Sequence, residues 1–570
     1  MRLFALTLKG QYKGLKDQTF TFEQADGNII AFIGLNGAGK SQLLELIAEA
    51  FGYLERYLRS DFKCRGWLDS LALDLKYANQ AYDSEEAISE YLVSIDAAGH
   101  VSIERDGHRI DLESRSNEGI EEQILPSHII GYSSGQNENL QRAFMKNAIQ
   151  YLDVMNVKRS LEQRVTAMNE AQNSKETQMT ESSLELFDRQ RFEMYRYYQK
   201  RNPALFHELP NGTNISDNSD IGLRATALPR LKYFDQDTTA LMLASMGMMS
   251  DAEQQLIWKD KQRFSKIHSV RLRYDLRKFK YDSGAVLDIS KLIKCVGGVA
   301  SENFSSLAQV DKTPEEFFNQ FELDYLAGEI VIDFSNIGVQ NSIVDGFSSP
   351  QTLFEKLYRL QLLAADFWLG ETKRQLRQDG FVGSAKKPQK WRAPIQVILL
   401  KLSDASRCIE FDDLSDGEAQ LIQILSMAFL YKESRTLFLL DEPETHLNPS
   451  WRTYFHGFVQ EVIDIANNKA QLFISTHSPF MVSSLRRKNV FKFERNDDGF
   501  VVMKGAQNET YGASFDVLIK DLFGLRSLIS QSVIDEIRKQ LALGDGGAKN
   551  WIKSNLDPSA ERAYLLKKLK

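Results

Sequence analysis

The chain has 570 residues, 43% of them hydrophobic and 26% charged, with a formal net charge of −7. This is an ordinary globular composition, with room for two to four domains or for one domain carrying a large insertion. The acidic balance argues against indiscriminate wrapping of nucleic acid, and three scattered cysteines (Cys64, Cys295, Cys408) make neither a disulfide framework nor a zinc site, as in a reducing cytoplasm.

Residues 1–8 alternate in hydropathy and read as a strand, not as a signal peptide. No apolar run approaches the roughly 18 residues that span a bilayer, so no membrane attachment is expected. Phe20, Phe22 and the run 29–33 predict further strands, the last ending at Gly34-Leu35-Asn36-Gly37-Ala38-Gly39-Lys40-Ser41. Leu43, Leu44, Leu46, Ile47 and Phe51 then have helical spacing. A glycine-rich loop between strand and helix is a phosphate site. Gly34, Gly37 and Gly39 let backbone N–H groups close round the phosphates, Asn36 belongs to the same cofactor-binding loop, Lys40 supplies a positive charge, and the Ser41 hydroxyl is placed for Mg²⁺.

Residues 100–133 read as β-rich. Gln136, just beyond, is either a Mg²⁺ ligand or an ordinary polar turn residue. Residues 140–260 read as mainly helical, with an exposed loop at 211–220. No heptad pattern is sustained, so a long coiled-coil arm is not expected. Residues 260–350 read as mixed α/β and 351–378 as a helix. Strands at 394–402 and 408–411 return the chain to the nucleotide-binding core.

Ser415-Asp416-Gly417-Glu418 opens the apolar helix 421–430. Ser415 is a helix cap on one reading; on the other, Ser415 and Gly417 grip a γ-phosphate bound by another subunit. The apolar strand 437–440 ends in Asp441 and Glu442. Asp441 is placed to hold Mg²⁺ and Glu442 to orient and deprotonate the attacking water. His477, after the apolar strand 472–475, is positioned to sense the γ-phosphate. The chain after about 510 is again helical.

These motifs resemble the ATP-binding-cassette ATPases of the SMC/RecF/Rad50-like branch. Residues 34–41 match the Walker A motif and 437–442 the Walker B motif. Residues 414–418 match the signature motif, with Asp416 and Glu418 where Gly and Gln are commoner. Leu447-Asn448 matches the D-loop, with Asn448 in place of Asp, and His477 matches the switch histidine. The resemblance implies an α/β ATPase head built from 1–140 and 394–495, a large, mainly helical α+β insertion at 141–393, and a helical C-terminal region at 496–570. It implies ATP and Mg²⁺ as ligands, ATP hydrolysis, and a homo-oligomer in which ATP lies between two heads. Residues 441–449, 475–480 and 510–516 are similar to the PtuA family, the ATPases of Septu anti-phage systems, including retron-associated ones. That similarity implies a control subunit acting with a separate PtuB-like HNH nuclease, and in retron versions with a reverse transcriptase and its RNA–DNA product. The alternative is a RecF/Rad50-like repair ATPase that clamps DNA.

No nuclease motif is expected in this chain. Asp497 and Asp498 fall in a turn, and Asp235-Gln236-Asp237 reads as a helix cap. The basic stretch 259–280, with Phe264, Tyr274 and Phe279 interleaved, is either a nucleic-acid contact or a solvated face. The second basic cluster, 373–392, reads as a helix end and loop.

Overall fold

The computed structural model describes residues 1–80, 88–112, 119–135, 138–173, 181–206, 223–258, 264–298, 300–306, 326–383, 393–403, 407–432, 435–464, 470–524, 530–542 and 544–569. Gln136, the loop 211–220, residues 259–263 and residues 384–392 lie outside them.

Eighteen strands form among the described residues: β1 (Arg2–Tyr12), β2 (Leu15–Thr21), β3 (Ile29–Gly34), β4 (Ala72–Gln80), β5 (Ile88–Ile95), β6 (Val101–Arg105), β7 (His108–Arg109), β8 (His128–Ser133), β9 (Leu231–Phe234), β10 (Lys266–Asp275), β11 (Phe304–Ser306), β12 (Ala327–Asp333), β13 (Ile395–Ser403), β14 (Cys408–Glu410), β15 (Thr436–Asp441), β16 (Gln471–Ser475), β17 (Val490–Arg495) and β18 (Val501–Gly505). Thirteen make one sheet in the order β7-β6-β5-β4-β1-β2-β18-β17-β3-β16-β15-β8-β9. Its functional half, β17 to β9, is parallel throughout. The β1-β4-β5-β6-β7 part is an antiparallel meander.

Parallel strands are covered on both faces, and their sequences read as continuous apolar runs. In β3, Ile29, Ala31 and Ile33 face one core while Ile30 and Phe32 face the other. In β15, Phe438 and Leu440 face the first core, Leu437 and Leu439 the second. The second core holds the helix after the glycine loop, Lys40–Leu58; the first holds the apolar helix Asp416–Leu430 and much of the insertion.

Four features differ from the sequence expectation. β9, from within 141–393, joins the edge of the main sheet beside β8. Strands β13 and β14 do not enter that sheet; they pair with β10, β11 and β12 in a separate five-stranded antiparallel sheet. The segment 351–378 is a helix at Pro350–Leu362, a 3-10 turn at Leu363–Phe367 and a short helix at Gly370–Leu376. The aromatic residues Phe264, Tyr274 and Phe279 are buried, so they offer no face for base stacking. Of the basic residues there, Arg273 pairs with Glu329, Arg277 with Asp275, Lys266 with Asp251 and Lys278 with Asp366.

Elsewhere the local chemistry is as expected. Asp235 accepts from the Thr238 N–H and caps the helix Gln236–Met246. Asp497 and Asp498 lie in the turn between β17 and β18. Among the described residues no helix is long and apolar enough to cross a membrane.

The helix Lys40–Leu58 carries three buried glutamates, and the helix Glu138–Asn173 answers them. Arg142 donates to Glu45, to Glu49 (3.1 Å), to the Tyr12 hydroxyl (3.0 Å) and to the carbonyls of Val382 (2.7 Å) and Gly383 (3.0 Å). Lys146 donates to Glu49 (2.9 Å) and to the Asp379 carbonyl (2.6 Å). Asn147 donates to Glu55 (2.6 Å). Buried charges persist only when paired in this way. The network fixes the phosphate-loop helix to the insertion.

Candidate functional site

The site lies at the carboxyl ends of the parallel strands, where open α/β sheets bind ligands. The glycine loop follows β3, Asp441 ends β15 with Glu442 just beyond it, and His477 follows β16. Gly34, Gly37 and Gly39 have φ of 146°, 75° and 99°. At Gly34 a Cβ would meet the Phe493 carbonyl at 2.4 Å, and at Gly39 it would meet Val501 at 2.5 Å, so both close approach and backbone conformation require glycine. Arg495, at the end of β17, donates twice to the Gly37 carbonyl (3.0 and 2.8 Å) and clamps the loop.

Lys40 is buried, and its ammonium lies 3.0 Å from the Gly34 carbonyl and 2.8 Å from His477 Nε2. Burial lowers its pKa, opposed by Glu442, Asp441 and Glu444. The Ser41 hydroxyl donates to Asp441 Oδ1 (2.8 Å), and the Ser475 hydroxyl donates to the same oxygen. These oxygens are hard donors of the kind Mg²⁺ takes. Among the described residues no three His, Cys, Asp or Glu side chains converge on one point. Mg²⁺ held here by Ser41 and Asp441 would therefore draw its remaining ligands from water and phosphate.

Glu442 sits in left-handed backbone, φ 53°, which costs a non-glycine residue roughly 1–2 kcal/mol. Its N–H is held by the Ser475 carbonyl (3.0 Å) and the Ser475 hydroxyl (3.2 Å). This turn separates the two neighbouring carboxyls: Asp441 meets Ser41, whereas Glu442 Oε1 lies 3.3 Å from His477 Nε2. The His477 contact, then the nearby Lys40 charge, hold Glu442 below the usual carboxylate range.

The structure thus brings together Lys40, Ser41, Asp441, Glu442 and His477. It places Ser415 differently. Ser415 caps the helix Asp416–Leu430 in a reciprocal box with Glu418: the Glu418 N–H donates to the Ser415 hydroxyl (3.3 Å), and the Ser415 N–H donates to the Glu418 carboxylate (3.0 Å). Glu418, where the commoner motif has Gln, makes that cap. Gly417 packs on the D-loop, where a Cβ would meet the His446 carbonyl at 2.7 Å. Gln420 accepts from the His446 N–H (2.9 Å) and donates to the Tyr132 hydroxyl (3.0 Å). Asn448 accepts from the Trp451 N–H (2.9 Å) and caps the helix Pro449–Asp464, a task Asn performs as well as Asp.

The strand order and these side chains decide the architecture. The fold is an α/β sheet, parallel where the glycine loop, the two carboxylates and the histidine meet at its strand ends. A family model described as "AAA domain, putative AbiEii toxin, Type IV TA system" matches residues 350–483, which hold Ser415, Asp441, Glu442 and His477. Two curated relatives match part of the chain: protein ea59 of Escherichia phage lambda, 27% identical over 23% of this chain and 26% of its own length, and the Septu protein PtuA of Bacillus thuringiensis, 28% identical over 18% of this chain. The chain spans about a quarter of the length of these relatives. Similar solved structures include the Smc head domain of Pyrococcus furiosus bound to the C-terminal domain of ScpA (12% identity, TM-score 0.31, 94% of this chain and 99% of that one). Another is the recombination mediator RecF with ATP (12% identity, TM-score 0.30, 88% and 97%).

Sequence reasoning missed Arg495 and the Glu444–Thr476 pair. Arg495 carries no motif. Glu444 had a visible signal, a further carboxyl two residues beyond Glu442, but its Thr476 partner lies 32 residues away.

Proposed function

We propose that this chain binds and hydrolyses ATP with Mg²⁺, and that two copies close head to head around the nucleotide. The observation that carries it is the meeting of Lys40 and Ser41 with Asp441, Glu442 and His477, across some 400 residues of sequence. Lys40 and the loop N–H groups hold the phosphates. Ser41 and Asp441 would hold Mg²⁺, which would offset charge on the phosphates. Glu442 orients and deprotonates the attacking water, and His477 reports the γ-phosphate to both Lys40 and Glu442. The Ser415 hydroxyl is engaged with its own helix, and the N-terminus of that helix is left to face the phosphate of a second head.

The similarity to PtuA supports a place in an anti-phage defence complex, where nucleotide-dependent closure controls a separate HNH-type nuclease, in retron versions with a reverse transcriptase and RNA–DNA hybrid. Closure can act on a partner only through different affinities for the open and closed heads.

The test is the mass of the purified chain with ATP and Mg²⁺, for wild type and Glu442→Gln. ATP-dependent dimers or larger assemblies, longer-lived in the variant, are expected. A mass indifferent to ATP in both would contradict head-to-head closure.

A further inference from the structure

Glu444 is the one carboxyl of the 441–444 segment to which hydrolysis assigns no task. It is 4% exposed. Its Oε1 accepts from the Thr476 hydroxyl, and its Oε2 is buried with no hydrogen-bond partner. Burying a carboxyl that is only half satisfied costs free energy, and an apolar side chain would fill the space without that cost. Thr476 immediately precedes His477. Its N–H donates to the Phe32 carbonyl of β3 (2.9 Å), and its hydroxyl accepts from the Ser478 N–H (2.9 Å) while donating to Glu444. The residues on both sides of His477 are therefore tied through one hydroxyl to one carboxyl. The histidine ring itself is about a third exposed and must reach Lys40 on one side and Glu442 on the other.

We infer that Glu444 is a positioning residue for the switch histidine: through Thr476 it fixes the 475–478 loop so that His477 stands between Lys40 and Glu442. This rests on the ATPase reading and adds a residue to it. The groups facing Glu444 are Glu442 on its own segment, Arg452 on the following helix, Thr476 on the switch loop, Tyr132 at the end of β8 and Lys40 on the phosphate-loop helix. Burial, reinforced by Glu442, raises its pKa to about 7. A neutral carboxyl is what the unpartnered Oε2 requires, and glutamine should reproduce it.

The test compares full-length wild type with Glu444→Gln, Glu444→Ala, Thr476→Val and His477→Ala. It follows Mg²⁺-dependent turnover of labelled ATP and affinity for a fluorescent ATP analogue. Glu444→Ala and Thr476→Val should lose about tenfold or more in kcat, within the usual range for misplacing a catalytic group. Their analogue affinity should stay within about twofold, and Glu444→Gln should keep most of the rate. Glu444→Ala combined with His477→Ala should be no slower than His477→Ala alone, because both act through one ring. Full-rate turnover by Glu444→Ala and Thr476→Val, or losses that add to that of His477→Ala, would overturn the inference. Wild type without turnover would instead remove the ATPase reading itself.

Discussion

Lys40 Nζ stands 2.8 Å from His477 Nε2, although 437 residues separate them in the chain. The same nitrogen lies 3.3 Å from Glu442 Oε1. It has either a lone pair for Lys40 or a proton for Glu442, and it cannot serve both at once. The ring is therefore poised between the ammonium proposed to hold phosphate and the carboxylate proposed to activate water.

Replacing His477 with alanine should leave nucleotide affinity nearly intact and lower kcat by about 10²–10⁴-fold, the range for loss of a positioned proton-handling group. Single-turnover hydrolysis with a parallel binding titration checks this. Equal losses in both would make the ring a binding group.

Glu444 gives stability a pH dependence. Its folded pKa of about 7 lies above the ordinary 4.5. The contribution is thus fully present below pH 4.5 and is lost as pH rises through 7, a change of about 3 kcal/mol. The melting temperature of Glu444→Gln, relative to wild type, should rise between pH 5 and pH 8. A difference independent of pH would mean that Glu444 is ionised throughout.

Most of the candidate site's geometry was legible because short motifs fix local structure: the glycines around Lys40 demand their φ values, and the apolar run before Asp441 demands a buried strand. What was not legible depends on partners far apart in sequence. Arg495 reaches Gly37 from the other end of the chain, and β9 adds to the head sheet from within the insertion. The basic stretch near 270 read as a surface because charge is visible in a sequence, whereas the pairing of those charges and the burial of Tyr274 and Phe279 are not. Gln136 lies outside the described residues.

The buried network behind the phosphate loop should be sensitive to loss of one partner. Arg142→Ala leaves Glu45 and Glu49 buried with less compensation and should cost about 3–5 kcal/mol. Denaturant unfolding measures it, with Lys9→Ala as an exposed control expected to cost less than about 1 kcal/mol. A cost for Arg142→Ala no larger than that of the control would contradict the role given to the network.

Gly417→Ala places a methyl 2.7 Å from the His446 carbonyl. The D-loop or the first turn of the Asp416–Leu430 helix must shift, while the glycine loop is untouched. ATP binding by the isolated head should survive and ATP-dependent assembly should weaken. Sedimentation with and without ATP checks this; unchanged assembly would show that the contact yields freely.

Phosphate release from ATP with Mg²⁺ by the purified chain, beside Lys40→Ala and Glu442→Gln, tests ATP hydrolysis at this site most directly. Wild type should turn ATP over, Lys40→Ala should lose both binding and turnover, and Glu442→Gln should retain binding with turnover reduced by about 10²-fold or more. Turnover by Glu442→Gln at the wild-type rate would contradict that expectation.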